Sequence, residues 1–488
     1  MKKITQLVSS LSASEVKLIR KYYSISAKIE HNLKIKLFEI ALVNKNISDI
    51  EAAKLMGKPN NAAFSMLKSR LQEDIMKILI VEGKDKIFNT KYFKTRHKIH
   101  FMLLEMDILE DRNLREQATE TIMKAKRLAT KFELVNDLVV INDIILNGHT
   151  IRQGPGTYKK LRSQSISILN KVDDLFWGTD YFKQSSLPPV YKANSTNSGL
   201  ETTKVAINKL GELSDRSELS RLHYFFLRSK INYHRDILDY KEWKRYALEF
   251  LKFIQTNPIL NTSDNNGGAH MIITDMYMNT KKYSQALEYA EKGINYFYKD
   301  SPNQIFMYEL IFLSYFYSKK YDKANEIVTY VKGIKTVKAG TFSYSKWLFF
   351  SATVEFALKD YKKVLTTLKR QSFLKTDKTG WALGYRILEI MSLVELENYD
   401  ALPYRLDTFR KQLSKITKEN VSRPKLFLQI MNRLIKDNFD FKLVNQKQAE
   451  SLQLLRDGKE KYFWNPRSYE VIRFDEWWDT KLKKVVAV

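Results

Sequence analysis

The sequence NTKKYSQALEYAEKG at residues 279–293 returns in altered form as YSKKYDKANEIVTY at residues 317–330. Each copy places a tyrosine after a short polar turn and continues with an amphipathic segment of helical period. Similar phrases surround aromatic residues spaced at intervals of 40, 38, 40 and 38 residues, namely Trp243, Tyr283, Tyr321, Tyr361 and Tyr399. A fixed period of this length indicates a repeat architecture.

Each aromatic residue of this series stands between two apolar-periodic segments. The segment IFMYELIFLSYFYS precedes Tyr321, and WLFFSATVEFAL precedes Tyr361. The chain has 488 residues but only 16 glycines and 9 prolines, a shortage that disfavours sheet-rich folds with many tight turns. One helical hairpin cannot bury its own apolar face, whereas stacked hairpins can. The sequence therefore predicts an all-α fold, a right-handed α-solenoid of antiparallel helical hairpins.

The repeated phrases resemble the tetratricopeptide repeat (TPR) family over about residues 230–415. Residues match the turn aromatic and the small second-helix positions of that family: Tyr283, Ala286, Leu287, Ala290, Tyr321 and Ala324. Three features depart from the family pattern. The period is 38 to 40 residues where the family has 34, Val364 and Leu402 replace the small residue, and the proline that ends a repeat is largely absent. The resemblance implies a TPR-like scaffold that binds a peptide or a helix in its concave groove and performs no catalysis.

An alignment on the aromatic residues predicts which side chains face that groove. They lie eight and five residues before each aromatic: Asp275, Met278, Leu313, Phe316, Thr353 and Phe356. Their apolar bias favours a helix or an apolar peptide as the ligand. The alternative is that Phe316 and Phe356 belong to the hydrophobic core.

The net charge of +27 is concentrated at the two ends of the chain. Residues 1–100 carry +11 and residues 401–488 carry +8, whereas the middle of the chain is nearly neutral. Such a distribution attracts nucleic acid or acidic partners. It is equally typical of lysine-rich helix faces that are simply solvated.

Residues 48–80 resemble a bacterial helix-turn-helix. Ser48 and Glu51 form the pattern of a capping box, Ala53 and Gly57 stand at packing and turn positions, and Lys58 departs from the usual apolar residue. The resemblance implies groove-facing positions at Asn60, Asn61, Ser65 and Lys68, with Arg70 and Lys77 nearer the phosphates. Together with the TPR-like helices, this layout is similar to bacterial peptide-sensing regulators. The alternative function is therefore a nucleic-acid-binding transcriptional regulator whose repeats act as the sensor.

The sequence divides into five segments on composition and pattern. These are a basic helical domain (1–90), helical hairpins (91–184), a loop or linker (185–199), TPR-like repeats (200–420) and C-terminal capping helices (421–488). The last segment holds Trp464, Trp477 and Trp478, which either cap the final repeat or form an exposed docking patch.

Several classes of function find no support in the sequence. The absence of cysteine excludes disulfides, thiolate metal sites and cysteine nucleophiles, and no nucleotide-binding, zinc-protease or hydrolase motif occurs. No apolar run approaches the roughly 18 residues that a membrane span needs. We therefore expect a cytoplasmic protein that is not an enzyme, has no cofactor or metal and no membrane partner, and binds a protein or peptide.

Overall fold

The computed structural model describes residues 1–24, 29–82, 90–153, 155–186, 198–370, 380–414 and 421–486. All regular secondary structure in these ranges is helical, which confirms the all-α fold. The first nine α-helices are α1 (Lys2–Ser10), α2 (Ala13–Ser24), α3 (Ile29–Val43), α4 (Asp49–Leu55), α5 (Ala62–Glu82), α6 (Lys91–Asp111), α7 (Arg115–Lys131), α8 (Val135–Gln153) and α9 (Pro155–Ser186).

Fifteen further α-helices follow in the described residues. They are α10 (Ser198–Ser217), α11 (Ser220–Asp236), α12 (Tyr240–Thr256), α13 (Ser263–Asn279), α14 (Tyr283–Ile294), α15 (Pro302–Tyr317), α16 (Tyr321–Lys332), α17 (Phe342–Ala357), α18 (Tyr361–Lys369), α19 (Trp381–Glu395), α20 (Leu402–Leu413), α21 (Ser422–Lys436), α22 (Phe441–Lys447), α23 (Ala449–Asp457) and α24 (Phe474–Val486). Most of the linker predicted at 185–199 lies outside the described residues. None of the described helices is both long and apolar enough to span a bilayer.

The first of two compact units comprises Met1–Thr179 and Asp215–Ser220. It contains two separate hydrophobic clusters. The N-terminal cluster is formed by α1 to α5, with Ile19, Leu37, Phe38, Leu71 and Ile75 fully buried. The other cluster joins α6, α7 and α8.

The second unit, Asp180–Ser214 with Arg221–Val488, is the TPR-like solenoid. From α12 to α21 each helix packs against the next helix of the chain, and α13 also contacts α15 as α17 contacts α19. One hydrophobic core runs continuously through these helices from Leu227 to Trp478. Stacking of neighbouring hairpins is therefore what buries the apolar faces, as expected for a repeat protein.

A recurring turn joins the two helices of each hairpin. The turn residues Lys281, Lys319 and Lys359 have left-handed φ angles of 57°, 60° and 65°. The amide that follows each lysine donates to a carbonyl five residues back, at 2.9 Å in all three cases: Lys282 to Tyr277, Lys320 to Tyr315 and Asp360 to Glu355. This bonding satisfies carbonyls at the helix end and offsets the left-handed backbone, which costs about 1–2 kcal/mol per residue.

The turn fixes the position of the repeated tyrosine. Tyr283, Tyr321 and Tyr361 are each the first residue of the second helix, and Tyr399 opens a short 3-10 turn at the same place before α20. These four rings therefore occupy equivalent corners, as predicted.

The prediction for Trp243 is wrong by three residues. Tyr240 follows the left-handed residue Leu238 and is the first residue of α12, so Tyr240 is the equivalent of the repeated tyrosines. Trp243 instead lies where Ala286 and Ala324 lie in later repeats and is only 1% exposed. Tyr240 and Trp243 both precede Tyr283 by an interval that agrees with the 38 to 40 residue period to within three residues. The spacing alone therefore could not show which of the two is the repeated aromatic residue.

The same turn recurs outside residues 230–415. Asn438 is left-handed, and the amide of Phe439 donates to the carbonyl of Leu434 at 2.8 Å. In the first unit, Asn113 and Glu133 have the same conformation. The helical-hairpin turn is thus a property of most of the chain and not of its middle alone.

Candidate functional site

The six residues predicted to face a groove are all buried. Met278 and Thr353 have no exposed surface, and the hydroxyl of Thr353 donates to its own helix at the carbonyl of Phe349, 2.9 Å away. Leu313 is packed in the hydrophobic core. Asp275 is engaged by an arginine of the C-terminal segment, as described below. Phe316 and Phe356 belong to the core and also line a cleft.

The chain returns across the first helices of the hairpins after α23. We call residues 463–481 the C-terminal segment. The Tyr317 hydroxyl on α15 donates to the carbonyl of Pro466 at 2.8 Å. Arg467 pairs with Asp275 on α13 at 2.9 Å and lies 4.8 Å from the ring centre of Phe306. The surface where a groove ligand was predicted is therefore in contact with the protein's own chain.

Contacts with α19 extend this packing. A Cβ atom added to Gly384 would stand 2.3 Å from the carbonyl oxygen of Tyr469, so the segment approaches the helix more closely than any side chain permits. Further along, the indole nitrogen of Trp477 donates to Glu395 at 2.7 Å. Lys481 pairs with the same carboxylate at 3.3 Å.

A buried ion-pair cluster holds the C-terminal segment in place. The guanidinium of Arg423 on α21 binds Glu470 through two nitrogens at 2.7 Å and Asp475 at 2.8 Å. All three side chains are at most 7% exposed. Trp464, Trp477 and Trp478 are buried as well, so they do not form an exposed patch. Because so many groups are enclosed together, this segment is an integral part of the second unit.

A cleft lies between the hairpin turns and α24. Its volume is about 580 Å³, within the range of about 300–1,000 Å³ that is usual for ligand pockets. Eight aromatic side chains line it: Tyr283, Phe316, Tyr317, Tyr321, Phe356, Tyr361, Trp464 and Trp477. Cationic residues line it too, namely Lys281, Lys319, Lys359 and Arg473.

The charged groups of the cleft are not balanced. Lys281, Lys319 and Lys359 are exposed, and none forms an ion pair with another described residue. The two carboxylates of the cleft already have partners. Glu395 binds Trp477 and Lys481, and Glu476, 66% exposed, pairs with Arg473 at 3.3 Å.

The repeated tyrosines contribute neutral hydroxyl groups to this cleft. Burial raises the pKa of Tyr283 and of Tyr321. Burial and the carboxylate of Glu395 together raise the pKa of Tyr361 to about 12. These phenols remain protonated at neutral pH and so serve as hydrogen-bond donors or acceptors.

The N-terminal hairpin places its predicted residues in two environments. The Asn61 side chain accepts from the Phe64 amide at 3.2 Å and so caps α5, while Lys68 pairs with Asp49 at 2.6 Å and lowers the pKa of that carboxyl. The remaining candidates, Asn60, Ser65, Arg70 and Lys77, are exposed.

In the part of the chain that the structure describes, no three or more His, Asp or Glu side chains are grouped so as to hold a metal ion. The capping box of α4 is formed as predicted, with the amide of Ser48 donating to Glu51 at 2.9 Å and the amide of Glu51 donating to Ser48 at 3.2 Å.

Sequence reasoning missed the cationic edge of the cleft. Its signal was present, since the Lys-Lys-Tyr triplet occurs at 281–283 and again at 319–321. The repeat pattern singles out the tyrosine of each triplet, whereas the lysines are typical of any polar turn. The tryptophans of the C-terminal segment indicated a cap on the final repeat, but no signal indicated that this segment lies across α13 and α15.

The sequence matches no family model and no curated protein. Among solved structures, the chain is similar to the apo form of RapI, with 15% identity, a TM-score of 0.38 and coverage of 74% of this chain and 99% of RapI. It is also similar to yeast Tom70, with 14% identity, a TM-score of 0.37 and coverage of 93% and 96%. A third is a signal transduction ATPase with a tetratricopeptide repeat sensor from Pyrococcus horikoshii, with 13% identity, a TM-score of 0.33 and coverage of 93% and 68%. These similarities are low, and the TPR-like description above depends on the hairpins and turns of the chain itself.

Proposed function

We propose that the protein is a non-catalytic helical-repeat scaffold that binds a protein or peptide partner. The observation that supports this most is the cleft of about 580 Å³ that opens beside the hairpin turns. Phe316 and Phe356, two of the residues predicted from the sequence, contribute to it. The other four predicted residues have their contacts within the fold, so we propose binding at the cleft and not along the whole inner surface.

The geometry of the cleft favours a partner that is a chain. Its edge takes one lysine from each of three successive hairpins, so a ligand that contacts all three must extend over three repeats. Packed helices lie about 8–10 Å apart, and three successive hairpins therefore present their turns over roughly 20 Å. An extended peptide rises about 3.3 Å per residue, and about six residues cover that length.

Photo-crosslinking tests the proposal directly. A photoreactive amino acid introduced at Lys319, on the edge of the cleft, is expected to crosslink a defined protein when the variant is irradiated in its native lysate. The control places the same amino acid at Lys338, which is exposed and lies outside the cleft. Identical products at both positions, or no product at Lys319, would contradict binding at this site.

Nucleic-acid binding by the N-terminal hairpin has less support. Asn60, Ser65 and Lys77 are available on the surface, whereas Lys68 and Asn61 are engaged within the domain. If this hairpin makes six to ten phosphate contacts, its affinity for a duplex falls by about 10³ to 10⁵ between 50 and 200 mM salt. A fluorescent duplex that remains unbound at 50 mM salt excludes this alternative.

A further inference from the structure

Three unpaired lysines stand in a row because of the turn that they occupy. Lys281, Lys319 and Lys359 are the left-handed residues of three successive hairpin turns, and each lies two residues before a repeated tyrosine. Because the three lysines occupy equivalent turns, the repeat determines the distance between them and places all three on the same side of the cleft. Two lysines of the helices that follow these turns, Lys292 and Lys323, instead pair with Glu288 and Glu326.

The wall behind these lysines is apolar and already ordered. Phe316 packs against Tyr321 with ring centres 5.5 Å apart, and Phe356 packs against Tyr361 at 5.1 Å. Trp464 closes the far side and contacts Tyr317 at 5.6 Å. A wall of fixed rings accepts an aromatic or large aliphatic side chain with little loss of conformational entropy.

Both carboxylates beside the cleft have a cationic partner. Glu395 pairs with Lys481, and Glu476 pairs with Arg473, which also pairs with Asp475. The side chains that remain without a counter-charge are the three lysines. A ligand complementary to this surface therefore combines an apolar anchor with several negative charges.

We propose that the cleft binds an acidic peptide segment anchored by an aromatic or large apolar residue. This inference rests on the proposed function and specifies the chemistry of the partner. The anchor side chain enters between the tyrosines and the C-terminal segment. Aspartate or glutamate residues on either side of the anchor pair with Lys281, Lys319 and Lys359. The hydroxyl groups of the repeated tyrosines hydrogen-bond to the peptide backbone or to its carboxylates.

A display library of random twelve-residue peptides provides the probe. Selection on the full-length protein is expected to enrich peptides with an aromatic or large apolar residue flanked by Asp or Glu. The strongest synthetic peptide is then titrated against the triple variant Lys281→Glu, Lys319→Glu and Lys359→Glu. The variant removes three exposed ion pairs and puts like charges in their place, so it is expected to weaken binding about tenfold.

A matched variant separates the cleft from net charge. Lys299→Glu, Lys335→Glu and Lys338→Glu change the charge equally at exposed positions outside the cleft, and their effect is expected to stay below about twofold. Since all six positions are exposed, both variants are expected to fold, which circular dichroism checks.

Three outcomes overturn the inference while leaving the proposed function intact. In the first, the selected peptides lack acidic residues; in the second, both triple variants weaken binding equally. In the third, a single-stranded oligonucleotide displaces the peptide. Each of these results would assign the cleft to other chemistry. Failure of the scaffold function has a different signature, in which no peptide is enriched and Lys319 crosslinks to no protein.

Salt provides a further check, because exposed charge pairs are screened. Affinity for the selected peptide is expected to fall about tenfold or more between 50 and 500 mM NaCl.

Discussion

Gly384 offers the sharpest test of how the C-terminal segment is packed. Replacement of this glycine by alanine places a methyl group 2.3 Å from the carbonyl oxygen of Tyr469 and 2.9 Å from its Cβ atom. The nearest atom is backbone, so relief of the overlap requires the segment or α19 to move. Overpacking of this kind costs about 1–3 kcal/mol, and the added helix propensity of alanine returns about 0.5–1 kcal/mol. The net expectation is a loss of about 1–2 kcal/mol in the free energy of unfolding.

Gly268 is the matched control for this change. It also lies inside a helix, α13, but a Cβ atom added there meets no other atom within 4 Å. Gly268→Ala is therefore expected to stabilise the protein by about 0.5–1 kcal/mol. Urea unfolding followed by tryptophan fluorescence measures both variants, because Trp464 and Trp477 report on the segment. If Gly384→Ala is as stable as Gly268→Ala, the segment does not lie against α19 and the reasoning is refuted.

Three further predictions follow from burial and charge. Arg423→Met leaves Glu470 buried without its cation and leaves Asp475 with Arg473 alone, and it is expected to cost about 3–5 kcal/mol in thermal unfolding. Arg410→Met, at an exposed pair with Asp407, is expected to leave stability nearly unchanged. Equal losses would contradict the buried cluster. Trp243→Ala is expected to cost about 3–5 kcal/mol, and a smaller loss than that of Tyr240→Ala would contradict the corrected register. The pKa of Tyr361 is about 12 in the folded protein against about 10 in an unfolded chain, so the folded state holds this proton longer and stability declines from about pH 10 to about pH 12. Tyr361→Phe removes this contribution, and an unchanged pH profile of the urea midpoint would argue against it.

The local structure of the repeats was predictable because neighbouring residues determine it. The helical period and the polar phrase before each tyrosine identify hairpins, and four of the five aromatic residues lie where the spacing placed them. The register of the first repeat was wrong because Tyr240 and Trp243 both satisfy an approximate interval. Only the left-handed residue Leu238 separates the two possibilities.

The site was far less predictable because it depends on contacts between distant parts of the chain. The Tyr317 hydroxyl bonds to a carbonyl 149 residues later in the sequence, and nothing in the repeat pattern anticipates that contact. The assignment of groove positions assumed an open inner surface. Once the C-terminal segment covers it, Phe316 and Phe356 alone among the six predicted residues retain access to a cleft.

Chemical crosslinking tests most directly whether the C-terminal segment lies across the repeats. The chain contains no cysteine, so the double variant Glu395→Cys and Lys481→Cys introduces only two thiols, at side chains that pair at 3.3 Å in the structure. A short bismaleimide reagent is expected to link these cysteines within one molecule in native buffer and to leave them unlinked in urea. Full labelling of both cysteines without a native crosslink would show that the segment lies elsewhere and that the proposed cleft does not exist.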